Sequence, residues 1–243
     1  MSGGKVKLLA VDLDGTLVDS APDIAHCLGV ALEAVGLVAP GEARTRVWIG
    51  DGLETLIARA LAAAAEPAGG AGDPAADARA PAQRLHAAAL AAFLACYRDN
   101  LFTRSRLYPD AEATLDALRA NGVRLCCITN KRHAFSESLL EQAGVRDRFE
   151  LVLGGDSLPE KKPSPLPLTT AARALGVAVD AATLVGDSHQ DLRAARAARY
   201  GFVFASYGYG KVDETELGNT PRIARFVDLT RAIDSGDDPV RTA

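Results

Sequence analysis

The chain has few cysteines, no run of five like charges and no long apolar segment. Cys27, Cys96, Cys126 and Cys127 are its four cysteines, and no two are spaced as CxxC. The four histidines, His26, His86, His133 and His189, are scattered and read as surface or core residues. No His/Cys set of zinc spacing exists. The longest apolar run, 87–96, has ten residues. A bilayer span needs about 20. The opening residues MSGGKVKLLAVD lack the apolar stretch of a secretory leader. The net charge of −4 gives no sign of the basic face that nucleic-acid binders carry. No internal repeat stands out. SYGYGK at 206–211 has glycines, but not in the spacing of a P-loop or of GxGxxG, and reads as a loop at the edge of a site. The expectation is a cytoplasmic protein with reduced thiols and no membrane or nucleic-acid partner, either a monomer or a weak homodimer.

What is present is ordinary for a globular enzyme: 48% hydrophobic and 24% charged residues over 243 positions. Short apolar runs alternate with helical patterns. Strands are predicted at 7–13, 123–129, 151–154, 183–186 and 201–205, with a weak last one near 225–227. Helices are predicted at 111–121, 134–143, 165–175 and 190–198, and Asn121-Gly122 and Ala143-Gly144 look like C-terminal caps. Continuously apolar strands alternating with helices indicate a parallel sheet covered on both faces. Ligands bind such sheets just beyond the carboxyl ends of the strands.

One stretch breaks the alternation. Between 20 and 104 the patterns at 24–35, 53–65 and 83–97 read as helices rich in Ala and Leu, with no strand among them. An Ala/Gly/Pro-rich interruption at 66–81 reads as a flexible loop. The expected fold is α/β: a Rossmann-like core from 1–17 and 105–243, with a helical domain inserted at 18–104.

Residues 11–20, VDLDGTLVDS, follow an apolar strand candidate and set Asp12 and Asp14 two positions apart at its end. Gly15 allows a sharp turn and Thr16 adds a hydroxyl. A carboxylate nucleophile needs a partner to handle the leaving group's proton, and two neighbouring carboxylates can hold different protonation states. An isolated Asp-Gly after a strand is usually only a turn. Here three more polar segments follow: Thr129-Asn130-Lys131 after a strand, Lys161-Lys162-Pro163-Ser164-Pro165, and Asp187 with Asp191 four residues on. That last spacing brings the second carboxylate back over the first once a helix begins. Each has a plain reading by itself: a turn, solvated charge, an acidic first helical turn.

In this order the four segments resemble the signatures of the haloacid dehalogenase-like hydrolases: DxDGT, the strand-end Thr, KPxP and GDxxxD. The register to Pro163 and Pro165 favours Lys162 over Lys161. The resemblance implies that Asp12 is the nucleophile and Asp14 the acid and base. It implies that Thr129, Asn130 and Lys162 bind the phosphoryl group. It also implies Mg²⁺ on the Asp12 carboxylate, the Asp14 backbone carbonyl and the Asp187 carboxylate, with Asp191 behind the metal or reaching it through water. The helical insert is similar to the cap of many of these enzymes. Asp14 favours phosphate esters over halides, because a halide leaves without a proton.

Several longer stretches resemble the bacterial phosphoglycolate phosphatases, among them VWIGDGLETLIARAL, in which Trp48 and Gly50 are candidate contacts to the substrate carboxylate. Trp48–Gly52 could equally be a turn joining two helices. The expected activity is Mg²⁺-dependent hydrolysis of 2-phosphoglycolate through an aspartyl phosphate. The alternatives are another small ester such as a sugar phosphate, a β-phosphoglucomutase-like isomerase, and a non-catalytic binding protein on the same scaffold. Lys131-Arg132, where relatives have Lys-Pro, departs from the pattern, as does Arg199-Tyr200-Gly201.

Overall fold

A computed structural model describes residues 6–65, 79–210 and 212–234. The strands are β1 (Leu8–Val11), β2 (Val18–Asp19), β3 (Arg106–Leu107), β4 (Arg124–Ile128), β5 (Leu151–Leu153), β6 (Ala182–Gly186), β7 (Gly201–Ala205) and β8 (Arg222–Ile223). The helices are α1 (Ala21–Glu33), α2 (Glu42–Trp48), α3 (Leu53–Ala65), α4 (Arg79–Asp99), α5 (Ala111–Ala120), α6 (His133–Gln142), α7 (Leu166–Ala174), α8 (His189–Ala198), α9 (Glu214–Leu217) and α10 (Leu229–Asp234).

The chain divides into two compact units, Met1–Asp19 with Arg106–Ala243, and Ser20–Ser105. The first holds a six-stranded sheet in the order β5-β4-β1-β6-β7-β8, every neighbouring pair parallel. β1, β6 and β7 are buried along their whole length, so their side chains pack on both faces. Leu8, Cys126, Leu184, Leu192, Phe202 and Tyr200 belong to one core cluster. The Tyr200 hydroxyl, taken into that core, donates to the Leu168 carbonyl at 2.7 Å. This is the α/β, Rossmann-like core.

α5 and α6 end as their glycines predict. Gly122 and Gly144 take φ of +79° and +73°, where a side chain would strain the backbone. The last strand is a correction. The sheet ends with Arg222–Ile223; the stretch 225–227, expected as the last strand, instead runs from Arg225 into a 3₁₀ turn over Phe226–Asp228. Two-residue strands carry no periodicity to read. The same reason hides β2 and β3, whose antiparallel pairing sets Asp19 beside Arg106. The chain therefore leaves this unit and returns to it side by side.

The second unit is helical, and its described residues hold no strand. α1 starts three residues earlier than its apolar pattern, because Pro22 suits a first helical turn. Asp23 in that turn has its carboxylate buried and takes donors from the Arg104 amide (3.0 and 2.9 Å) and the Ser105 amide and hydroxyl (2.8 and 2.6 Å). These tie the two ends of the unit together. The loop expected at 66–81 lies outside the described residues up to 78, and α4 already begins at Arg79. No helix among the described residues is long and apolar enough to cross a membrane.

Candidate active site

The site residues leave the sheet at adjacent strand ends. Val11 pairs with Cys127 on one side and with Val185 on the other. Asp12 thus stands level with the ends of β4 and β6, from which Thr129 and Asp187 emerge.

Lys162 lies at the centre. Its ammonium donates to Asp12 Oδ1 at 2.7 Å, to Asp191 Oδ1 at 2.6 Å and to the Ile128 carbonyl at 2.7 Å. Three N–H donors thus meet three acceptors. Burial alone would lower its pKa, but Asp12 and Asp191 outweigh it and hold the group above the ordinary lysine value. Lys162 is the buried member of the pair; Lys161 is half-buried. The Lys162–Pro163 peptide is cis.

Burial pushes the Asp12 carboxyl well above its ordinary value; Asp191 and Asp187 add to the rise and Lys162 opposes it. Asp187 is pushed up to about 6, by burial first and by Asp191 second. Against this, its oxygens accept from Thr16 Oγ1 at 3.2 Å and from the amides of Tyr209 and Gly210 at 2.7 and 3.0 Å. Asp191 caps α8 together with Ser188. Ser188 Oγ accepts the Asp191 amide at 3.3 Å, and Asp191 Oδ2 accepts the Ser188 amide at 3.1 Å. Both Asp191 oxygens are therefore committed to the protein, one to Lys162 and one to Ser188.

One oxygen from each of Asp12, Asp187 and Asp191 lies within 4.8 Å of the others, and all three residues are buried. Three buried carboxylates, two of them sharing the Lys162 ammonium, are short of positive charge, which is costly out of water. The donors are all oxygen, with no thiolate or imidazole among them. A hard divalent cation fits that set.

Asp14 is held separately. Lys131 Nζ donates to both its oxygens, at 3.0 and 3.2 Å. Sequence reasoning does not single out Lys131, since only the fold brings its side chain back across to β1. The available signal is a lysine two residues beyond the strand-end Thr129. Thr129 Oγ1 accepts the Lys131 amide at 3.2 Å, and Asn130 Nδ2 donates to the Lys162 carbonyl at 3.0 Å. The TNK and KPSP segments are thereby joined.

The loop 206–210 does more than border the site. A Cβ on Gly208 or Gly210 would overlap Asp187, and one on Gly15, at φ +87°, would strike the Asp187 carboxylate. Tyr209 donates its hydroxyl to Asp19 Oδ1 at 2.6 Å, and Tyr207 donates to the Thr16 carbonyl at 2.7 Å. The backbone of this loop closes on one carboxylate from several sides.

Trp48 and Gly50 belong to the helical unit. Trp48 ends α2, and Gly50, at φ +122°, lies in the turn to α3. Arg59 braces that turn by donating to the Trp48 carbonyl at 3.0 Å and pairing with Asp51. The Arg44 guanidinium lies 5.3 Å from the centre of the Trp48 ring.

A family model described as haloacid dehalogenase-like hydrolase matches residues 6–199. A phosphoglycolate phosphatase of Nitrosococcus oceani is 44% identical over 203 residues, 84% of this chain and 85% of that protein. One of Neisseria gonorrhoeae is 39% identical over 222 residues, covering 91% and 89%. The crystal structure of a predicted phosphoglycolate phosphatase from Haemophilus somnus superposes with a TM-score of 0.83 at 32% identity, covering 94% of this chain and 98% of that one. The chain belongs to the haloacid dehalogenase-like hydrolases. Within them it is a phosphatase, a phosphoric monoester hydrolase.

Proposed function

We propose that the chain hydrolyses 2-phosphoglycolate to glycolate and phosphate with Mg²⁺, through a phosphate ester of Asp12. The observation that carries this is the buried set of Asp12, Asp187 and Asp191, two of which, Asp12 and Asp191, pair with the Lys162 ammonium. It combines a nucleophile, a fixed cation and a place for a second one. The activity named for relatives 39–44% identical supports the substrate.

Asp12, Asp187 and the Asp14 backbone carbonyl would hold Mg²⁺. Asp191, which anchors Lys162 and caps α8, would support it from behind. The bound ion supplies positive charge against the phosphoryl oxygens.

Asp12 attacks phosphorus through Oδ2, because Lys162 occupies Oδ1. The bond from phosphorus to the ester oxygen breaks as the bond to Asp12 forms. Lys162 favours the ionised form of Asp12 and aims it, and the Thr129 hydroxyl, helped by Asn130, hydrogen-bonds the phosphoryl oxygens. Asp14, protonated at that moment, gives its proton to the departing alkoxide. It then takes one from the water that attacks the phosphorus and frees Asp12. The unit Ser20–Ser105 is the cap, and Trp48 and Gly50 meet the substrate carboxylate. The enzyme works in the cytoplasm on this one small partner.

The test is phosphate release from a panel of small phosphate esters, with Mg²⁺ and with a chelator. The expected result is a strong preference for 2-phosphoglycolate, abolished by the chelator. A profile directed to sugar phosphates would overturn the substrate, and chelator-resistant turnover would overturn the metal.

A further inference from the structure

Within the helical unit, Cys27 on α1 and Cys96 on α4 bring their sulfurs to 2.7 Å. The two residues are 69 positions apart in the chain. Both are thiols, Cys27 buried and Cys96 half-buried. Asn100, one turn beyond Cys96, fixes that sulfur from the other side: its Nδ2 donates to Cys96 Sγ at 3.7 Å and to the Cys96 carbonyl at 3.0 Å. Burial, with Cys96 and Asp23 adding to it, pushes the Cys27 thiol up. The proposed phosphatase mechanism uses neither residue.

We infer that Cys27 and Cys96 form a reversible disulfide joining α1 to α4. Bonding distance for two sulfurs is about 2.05 Å, so the pair needs only a small approach. The oxidant class is a peroxide. Cys96, the more accessible thiol, attacks one peroxide oxygen, giving a sulfenic acid and releasing water. The Cys27 sulfur then attacks the Cys96 sulfur, and the Cys27 proton leaves with the displaced hydroxide as a second water. Two thiols lose two electrons, and the peroxide gains them. A dithiol reverses the step by exchange, becoming a disulfide itself. Cys126 and Cys127 are an internal control. They are adjacent on β4, so their side chains point to opposite faces of the sheet and cannot pair with each other.

The test uses the full chain treated with hydrogen peroxide. Remaining thiols are alkylated after unfolding and the peptides mapped by mass. The expected product is one linked peptide pair carrying Cys27 and Cys96, two hydrogens lighter than the separate thiols and reversed by dithiothreitol. Oxidation should also raise Tm by several degrees, since the bond closes a long loop of the unfolded chain. Cys96→Ser should keep the Tm of the reduced protein and lose the oxidation-dependent rise. Recovery of Cys27 and Cys96 separately alkylated would overturn the inference. So would Cys96 sulfinic acid beside an intact Cys27 thiol, or a rise in Tm that persists in Cys96→Ser.

Discussion

Lys131 grips Asp14 with two hydrogen bonds, 3.0 Å to one carboxylate oxygen and 3.2 Å to the other. Both side chains are largely buried, at 7% and 12% exposure, so the pair is shielded from the screening that weakens surface ion pairs. It fixes the position of the group assigned to both proton transfers. Displacing such a group by 1 Å costs about a hundredfold in rate. Lys131→Met should lower kcat by roughly 10- to 100-fold with little change in KM. Steady-state kinetics checks this; a kcat equal to that of the unaltered enzyme would remove Lys131 from the account.

Among the described residues, Lys162 is the ammonium bonded to both Asp12 and Asp191. Lys162→Met leaves both carboxylates buried without it. Breaking a buried pair in this way costs about 3–5 kcal/mol. Denaturant unfolding at neutral pH should show a loss of that order. A loss below about 1 kcal/mol, the level of a surface ion pair, would contradict the bonding described.

The glycines around Asp187 give a separate prediction. Gly210→Ala places a methyl group against the Asp187 backbone carbonyl. Disturbing the groups that orient a metal ligand typically costs 10- to 100-fold in affinity or activity. The Mg²⁺ concentration for half-maximal activity should rise by about tenfold or more. An unchanged titration would show that Asp187 does not depend on this loop.

Asp23 links the helical unit to pH. Burial pushes its carboxyl up, but the Ser105 and Arg104 donors overcome that and hold it below the ordinary value of 3.8. A group depressed in the folded state adds stability above its ordinary pKa and loses it as pH falls through the folded value. Asp23→Asn should therefore be less stable than the unaltered chain at pH 7, by about 1.5–3 kcal/mol. The gap should narrow below pH about 4. Urea unfolding across that range is the check, and a gap independent of pH would contradict it.

The features legible in the sequence are those written locally. Asp12, Thr129 and Asp187 follow apolar runs, and runs of that kind form strands. Gly122 and Gly144 mark helix ends because only the local backbone matters there. Lys131 is legible as a charge but not as a partner of Asp14, since 117 residues of chain separate them. Gly208 and Gly210 are legible as a loop, while their packing against Asp187 depends on β6 and β7 lying side by side. Arg222–Ile223 is too short to show a pattern, so the stretch 225–227, with Phe226 and Val227, attracts the assignment instead.

During turnover Asp12 is expected to carry the phosphoryl group. The most direct measurement is an acid quench of the enzyme turning over ³²P-labelled 2-phosphoglycolate, followed by borohydride reduction and peptide mapping. The expected result is radiolabel that chases off with unlabelled substrate, and homoserine at position 12 after reduction. Turnover with no labelled protein, or homoserine at position 14 with Asp12 intact, would contradict it.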